Sequence, residues 1–138
     1  MDKDSGIYVL VFRLDEERRV RVGRLGIFTF PRGWYTYTGS ALKGLSARIR
    51  RHRSSVKRVY WHIDYLLEYA SIERVAEIPT AERIECALHA CLMSMKDCRM
   101  PVKGFGSSDC GCVSHLLYWG EKTPPANSEI ARCTGLRA

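Results

Sequence analysis

Past a charged start, the chain opens on a run of apolar and β-branched residues, Gly6-Ile7-Tyr8-Val9-Leu10-Val11-Phe12-Arg13-Leu14, broken by a single arginine. Such a run predicts a strand. Asp15-Glu16-Glu17 is a polar turn, and from Arg19 to Phe30 the chain alternates arginine with valine until Gly23 and Gly26 interrupt it. Alternation with glycine breaks predicts a second strand carrying a bulge or bend. Pro31-Arg32-Gly33 turns the chain again, and Trp34 to Gly39 has high β propensity. Three short strands joined by tight turns make an antiparallel meander. From Leu42 the period changes: Leu45 and Ile49 fit one face of a helix that runs to about Arg53. Trp61, Tyr65, Leu66 and Tyr69 predict a second helix, and Ser71 to Ile78 a fourth strand. Thr80 offers an N-cap for a third helix with Glu82 and Glu85 near its start and an apolar stripe of Ile84, Leu88, Cys91, Leu92 and Met95. Residues 103–112 are a glycine- and serine-rich loop, Val113 to Trp119 a last strand, and residues 121–138, with Pro124-Pro125, a tail.

The order β-β-β-α-α-β-α-β predicts an α/β fold: an α+β sandwich whose central mixed sheet begins with the three-strand meander, flanked by about three helices. The 138 residues fit one domain, with residues 5–120 as its core. A hydrophobic fraction of 46% suffices for that core. No apolar run approaches the roughly 20 residues that span a bilayer, and the charged start lacks the build of a secretory signal. The expectation is a cytoplasmic protein with no membrane partner. Six cysteines in such a chain argue against a disulfide scaffold, so Cys86, Cys91 and Cys98 are expected to be reduced thiols. Cys110-Gly111-Cys112 with His115 is a candidate soft-metal site, but zinc prefers four ligands and a fourth is not evident, which disfavours zinc.

Charge sharpens the picture. The net charge is +7, yet residues 13–58 alone hold 13 Lys/Arg against three acids, a local +10. A concentrated positive field attracts a polyanion, nucleic acid being the commonest. A solvated basic face is the bland reading, and charge alone does not exclude it.

The motifs go further. The first strand begins Gly6-Ile7-Tyr8, and the third ends Tyr37-Thr38-Gly39. The helix after it carries Leu45, Arg48 and His52, and a later helix carries Glu85. This series resembles the GIY-YIG nucleases, which include homing endonucleases and the excision-repair nuclease subunit. Gly39-Ser40-Ala41, the stretch from Trp61 to Leu66 and that from Gly104 to Leu116 are similar to the small archaeal-type branch called Uri nucleases. The resemblance covers about residues 5–120. It implies a divalent-metal-dependent endonuclease that hydrolyses phosphodiester bonds in DNA, repair- or structure-directed, with one Mg²⁺ or Mn²⁺ ion held by Glu85 and with a repair protein as a possible partner. Its implied catalytic residues are Tyr8, Tyr37, Arg48, His52 and Glu85.

Each position has its own physical rationale. A guanidinium forks onto two phosphate oxygens and stays charged, which suits Arg48 to a pentacovalent phosphorus. His52, four residues on, shares its helix face and titrates near neutrality, so it can accept or relay a proton. A free tyrosinate is costly at neutral pH, so Tyr8 is assigned water positioning or general-base work, with Tyr37 in support. Tyr35 shares Tyr37's face by alternation but lacks its motif position. One glutamate plus waters suits Mg²⁺. Glu82 is the rival ligand and His89 a possible neighbour of Glu85. Arg19, Arg21, Arg24, Ser40, Arg50, Arg51, Arg53, Lys57 and Arg58 are the expected nucleic-acid contacts. The chain departs from the family in having Ser40 where a lysine or arginine often follows the YIG glycine, and in lacking a clear match for a late-strand asparagine. The alternative function is therefore a nucleic-acid-binding module that keeps the fold without the chemistry.

Overall fold

A computed structural model describes residues 4–41, 43–54, 58–95, 98–106 and 114–134. Among them the elements run β1 (Gly6–Leu14), β2 (Arg18–Val22), β3 (Gly26–Phe30), β4 (Gly33–Ala41), α1 (Leu45–Arg53), α2 (His62–Leu67), β5 (Ser71–Pro79), α3 (Glu85–Met93), β6 (Leu116–Gly120) and α4 (Asn127–Arg132). The α+β class is as expected; the sheet differs in detail. Its four strands lie in the order β5-β1-β4-β6, and every pairing is antiparallel rather than mixed. The segment read as one bent strand is two, β2 and β3, which fold on each other around a 3₁₀ turn at Gly23–Leu25 and form a separate two-stranded sheet. The meander is therefore not continuous: β1 pairs directly with β4.

The apolar run of β1 now has its cause. It is flanked on both edges and covered on both faces, so alternate residues feed two cores. Tyr8, Leu10, Phe12 and Leu14 join the core formed with Tyr35, Tyr37, the β2–β3 hairpin, Leu45 and Ile49 of α1, and Ile63 and Leu66 of α2. Ile7, Val9 and Val11 join the opposite core with Leu88 and Leu92 of α3, Trp119 of β6 and Ile130 of α4. Helices α1 and α3 thus lie on opposite faces of one sheet.

Helix α1 has no side-chain cap from its own sequence, because Gly44 stands at the N-cap. Asp4, just before β1, substitutes: its carbonyl accepts the Leu45 N–H at 2.6 Å and its carboxylate accepts from the Ser46 N–H and hydroxyl. A carboxylate at a helix N-terminus complements the dipole, and so do cations at the other end. Arg50, Arg51 and Arg53 occupy that last turn.

The end of the chain departs from the expected tail. Residues 127–132 form α4, whose Ile130 is fully buried, and Arg74 of β5 donates to Asn127 Oδ1 and to the Pro124 and Pro125 carbonyls. The cysteine expectation is also corrected. Cys91 of α3 is bonded to Cys133 at the end of α4, and Cys86 is disulfide-bonded as well, while the Cys98 sulfur lies 3.4 Å from the Leu92 carbonyl. The sequence argument failed because helices α3 and α4 stack on the same core, which brings distant cysteines within bonding reach. The start of α3 moves too: it begins at Glu85 with Ile84 as its N-cap, not at Thr80, whose hydroxyl instead accepts the Glu82 N–H within a turn. The Cys91–Cys133 bond closes a loop of 42 residues, a closure worth about 4 kcal/mol of chain entropy. Cys133→Ser should lower the unfolding free energy by about 2–4 kcal/mol in denaturant titration; an unchanged midpoint would show that α4 is held by packing alone.

Candidate active site

The β1–β4 register places Tyr8 directly opposite Gly39 and Leu10 opposite Tyr37. Tyr8 and Tyr37 therefore point to the same face, at the sheet end where α1 begins. The Tyr8 ring lies across the backbone of Gly39; a Cβ there would run into the phenol. Glycine at that position is a steric requirement of the tyrosine opposite it.

These residues border a hollow of about 220 Å³ lined by Tyr8, Tyr37, Arg48, Trp61, Glu85 and His115, together with Gly39, Ser40, Arg83 and Gly106. Arg48 enters it from α1 and Glu85 from the first turn of α3, on the other face of the sheet. The hollow lies at the sheet end, where helices from both faces reach past the strands.

His52 does not line the hollow. It is 2% exposed and stands behind Tyr8, its Nε2 2.8 Å from the Tyr8 hydroxyl. Its Nδ1 lies 4.0 Å from Asp64 Oδ1. Burial pushes the Tyr8 phenol up to about 12, against the opposing pull of the Arg48 guanidinium. At neutral pH Tyr8 is a phenol, not a phenolate.

Asp64 organises the cationic wall. It is fully buried at the third position of α2, accepts the N–H groups of Tyr60 and Trp61, and takes both Arg51 nitrogens, at 2.9 and 2.8 Å. Burial alone would raise its pKa, but the hydrogen bonds and charge of Arg51 with the two backbone donors hold it below the ordinary 3.8. Arg51, expected to contact nucleic acid, is thus committed to Asp64 and to the Arg58 carbonyl. Arg48 has no carboxylate of this kind among the described residues: it donates to the Ser40 carbonyl at 3.1 Å and stacks on Trp61, whose ring also carries Arg51, at 4.4 and 4.2 Å. Such stacking holds a guanidinium flat without cancelling its charge.

On the acidic side, Glu85 Oε2 is buried with no hydrogen-bond partner among the described residues. His115 is 5% exposed; burial lowers its pKa while Glu85 pulls the other way. His89 packs behind, its ring 5.6 Å from His115, and burial followed by the charge of His115 pushes it down to about 4. Both His89 nitrogens lack partners among the described residues. The rival Glu82 is exposed and outside the hollow. Tyr35 is buried in the core, its hydroxyl given to the Pro31 carbonyl. His62 is half-buried, and its Nδ1 accepts the Gly106 N–H at 2.9 Å, pinning the loop that closes the hollow. Gly106, at φ 69°, leaves room for Tyr37, whose ring edge would be 2.7 Å from a Cβ.

Of the expected nucleic-acid contacts, Arg19, Arg21 and Arg24 lie exposed on the β2–β3 hairpin, and Arg50, Arg53 and Arg58 are exposed on and after α1. Ser40 lines the hollow and holds Arg48 through its carbonyl. Lys57, and Cys110 and Cys112 of the soft-metal candidate, lie outside the described residues. A second hollow, of about 440 Å³, is bordered by His52, Arg53, Leu67 and Ile72. Sequence reasoning missed Arg83 in the first hollow and the role of Asp64; an aspartate at the third position of a helix starting with aromatics was the available signal for the latter.

A family model described as Domain of unknown function DUF123 matches residues 7–136. The chain belongs to the DUF123 family. No curated protein and no solved structure matches it. The match takes in every element of this DUF123 chain apart from the first residue of β1, and it includes α4, in keeping with a last helix that is part of the domain.

Asp64→Asn should cost the DUF123 chain about 3 kcal/mol, through loss of the charged hydrogen bonds to Arg51. Because the folded pKa lies below the ordinary 3.8, the carboxylate's contribution is complete above that pH and is lost as acid titrates through the lower folded value. Urea unfolding across acid pH should therefore show a shallower acid loss in the variant; parallel curves would dismiss Asp64 as the titrating group.

Proposed function

We propose that this chain is a divalent-metal-dependent endonuclease of the GIY-YIG type that hydrolyses phosphodiester bonds in DNA. The observation that carries the reading is the convergence of Tyr8, Tyr37, Arg48 and Glu85 on one hollow, although α1 and α3 lie on opposite faces of the sheet.

The residues suit the metal that this reading needs. A buried carboxylate oxygen without a protein partner is costly unless something outside the protein satisfies it, and Glu85 Oε2 is such an atom among the described residues. Among those residues no three His, Cys, Asp or Glu side chains form a metal cluster. A single carboxylate fits Mg²⁺ or Mn²⁺, which keep much of their water, better than zinc. Glu85 would hold the ion, which when bound polarises a phosphoryl oxygen and stabilises the leaving oxygen.

The remaining work falls to the side chains. Arg48, flat on Trp61, presents its guanidinium to the non-bridging oxygens, where charge grows in the transition state. Tyr8, as a phenol, donates to His52 Nε2 and leaves its oxygen lone pair facing the hollow, so it can accept a hydrogen bond from the attacking water. As the water attacks phosphorus, its proton passes to the Tyr8 oxygen while the phenolic proton moves to His52 Nε2. The imidazolium so formed stands beside the buried Asp64 charge. Tyr37 walls the opposite side and helps exclude bulk solvent. The exposed arginines of the β2–β3 hairpin and of α1 supply docking to the phosphate backbone.

With Mg²⁺ or Mn²⁺, Arg48→Ala and Glu85→Gln should each abolish plasmid nicking, a loss of at least about 10²-fold, with unchanged far-UV circular dichroism. Retained cleavage in both variants would remove this mechanism. Tyr8→Phe keeps the ring over Gly39 but breaks the relay, and single-turnover rates should fall by about 10²–10⁴. A rate equal to wild type would reassign the water to another group. Salt-sensitive DNA binding with no cleavage under either metal would favour the binding module that keeps only the fold.

A further inference from the structure

The hollow contains a second guanidinium, for which the mechanism above has no task. Arg83 stands two residues before Glu85, lines the same hollow and is exposed. Among the described residues it makes no hydrogen bond and no ion pair, not even with neighbouring Glu82 or Glu85. Arg51, one turn on from Arg48, fares differently, since it is neutralised by Asp64. Arg48 and Arg83 approach the hollow from opposite faces of the sheet, one on the basic helix and one just ahead of the acidic helix.

We propose that Arg83 is a second phosphate-binding residue, gripping the phosphate adjacent to the one held by Arg48 on the same strand. That the two phosphates are neighbours rests on the nuclease reading; the phosphate contact itself does not. The volume supports the arrangement. At about 220 Å³ the hollow falls below the roughly 300–1,000 Å³ of sites that enclose drug-sized ligands. It takes a phosphodiester group and leaves the nucleosides outside. An unpaired guanidinium at the rim then meets the next phosphate along the chain, with bidentate geometry. Phosphate contacts position a strand but carry no base information. The substrate class is therefore an internal stretch of a polynucleotide strand, gripped through two successive phosphates without sequence readout inside the hollow.

The test uses the full chain in EDTA with a short fluorescent DNA oligonucleotide, followed by anisotropy. Arg83→Gln should weaken binding about tenfold and lower the slope of log affinity against log salt by about one. Arg132→Gln on α4 makes the same change of charge and should leave the slope as it is. Oligonucleotides carrying one neutral methylphosphonate at successive positions then locate the contact. Wild type should lose affinity at two neighbouring positions, and Arg83→Gln at only one of them. This pattern supports the assignment whether or not the DNA is cut with Mg²⁺ present, so failure of the nuclease reading and failure of this inference are separate results. A wild-type salt slope in Arg83→Gln, or equal sensitivity of the two proteins at both positions, overturns it.

Discussion

The pairing of β1 with β4 in a single register is the constraint on which the site depends. Side chains alternate along a strand, so a slip of one residue would send every residue of β1 to the other face. The register that sets Tyr8 across from Gly39 gives the phenol a floor without a side chain and turns it toward His52. It also aligns Tyr37 with the same face, and it fixes where β4 ends and hence where α1 enters. Covering β1 on both faces makes a slip doubly costly, since Ile7, Val9 and Val11 would be forced into the core built around aromatic rings. Placement of the phenols is thus maintained by the whole double core rather than by local contacts.

Electrostatics then separates arginines that the sequence presents as equals. Arg48 and Arg51 lie three residues apart and share Trp61 as a stacking partner. A buried Asp64 claims one of them, and the other keeps its charge for the hollow. The same carboxylate anchors the start of α2 through backbone donors, so the first turn of that helix and the polarity of the basic wall are set by one group. On the far wall, Glu85 faces the hollow with a buried oxygen that no donor among the described residues satisfies, beside a histidine that burial biases toward the neutral form.

Much of this was legible before any coordinates. The central strand announced itself because burial on both faces requires a nearly continuous apolar run, and Tyr8, Tyr37, Arg48 and Glu85, implied by the resemblance to GIY-YIG nucleases, do share a hollow. What was not legible depends on chain segments meeting in space. Asp4 caps a helix more than 40 residues away, and nothing local to α1 reveals it. His52 was expected to share Arg48's helix face, and it lies behind Tyr8 rather than lining the hollow, since helix spacing gives a shared face but not its depth. A proline pair followed by a polar stretch looked like a tail, and a single buried isoleucine was too faint a signal for a helix. The cysteines were judged by compartment, whereas their pairing is a matter of which helices stack.

The tie between Cys91 and Cys133 has a consequence for where such a protein is at its tightest. In oxidising surroundings the helix that begins with Glu85 is leashed to the last helix of the chain, and the covalent ring between them encloses β6 and His115. In thiol-rich surroundings that ring opens, and α4 keeps its place by apolar burial and by the grip of Arg74 on its first turn. The acidic wall of the hollow is thereby tied covalently to the last helix, whereas the elements that bear Tyr8, Tyr37 and Arg48 carry no cysteine.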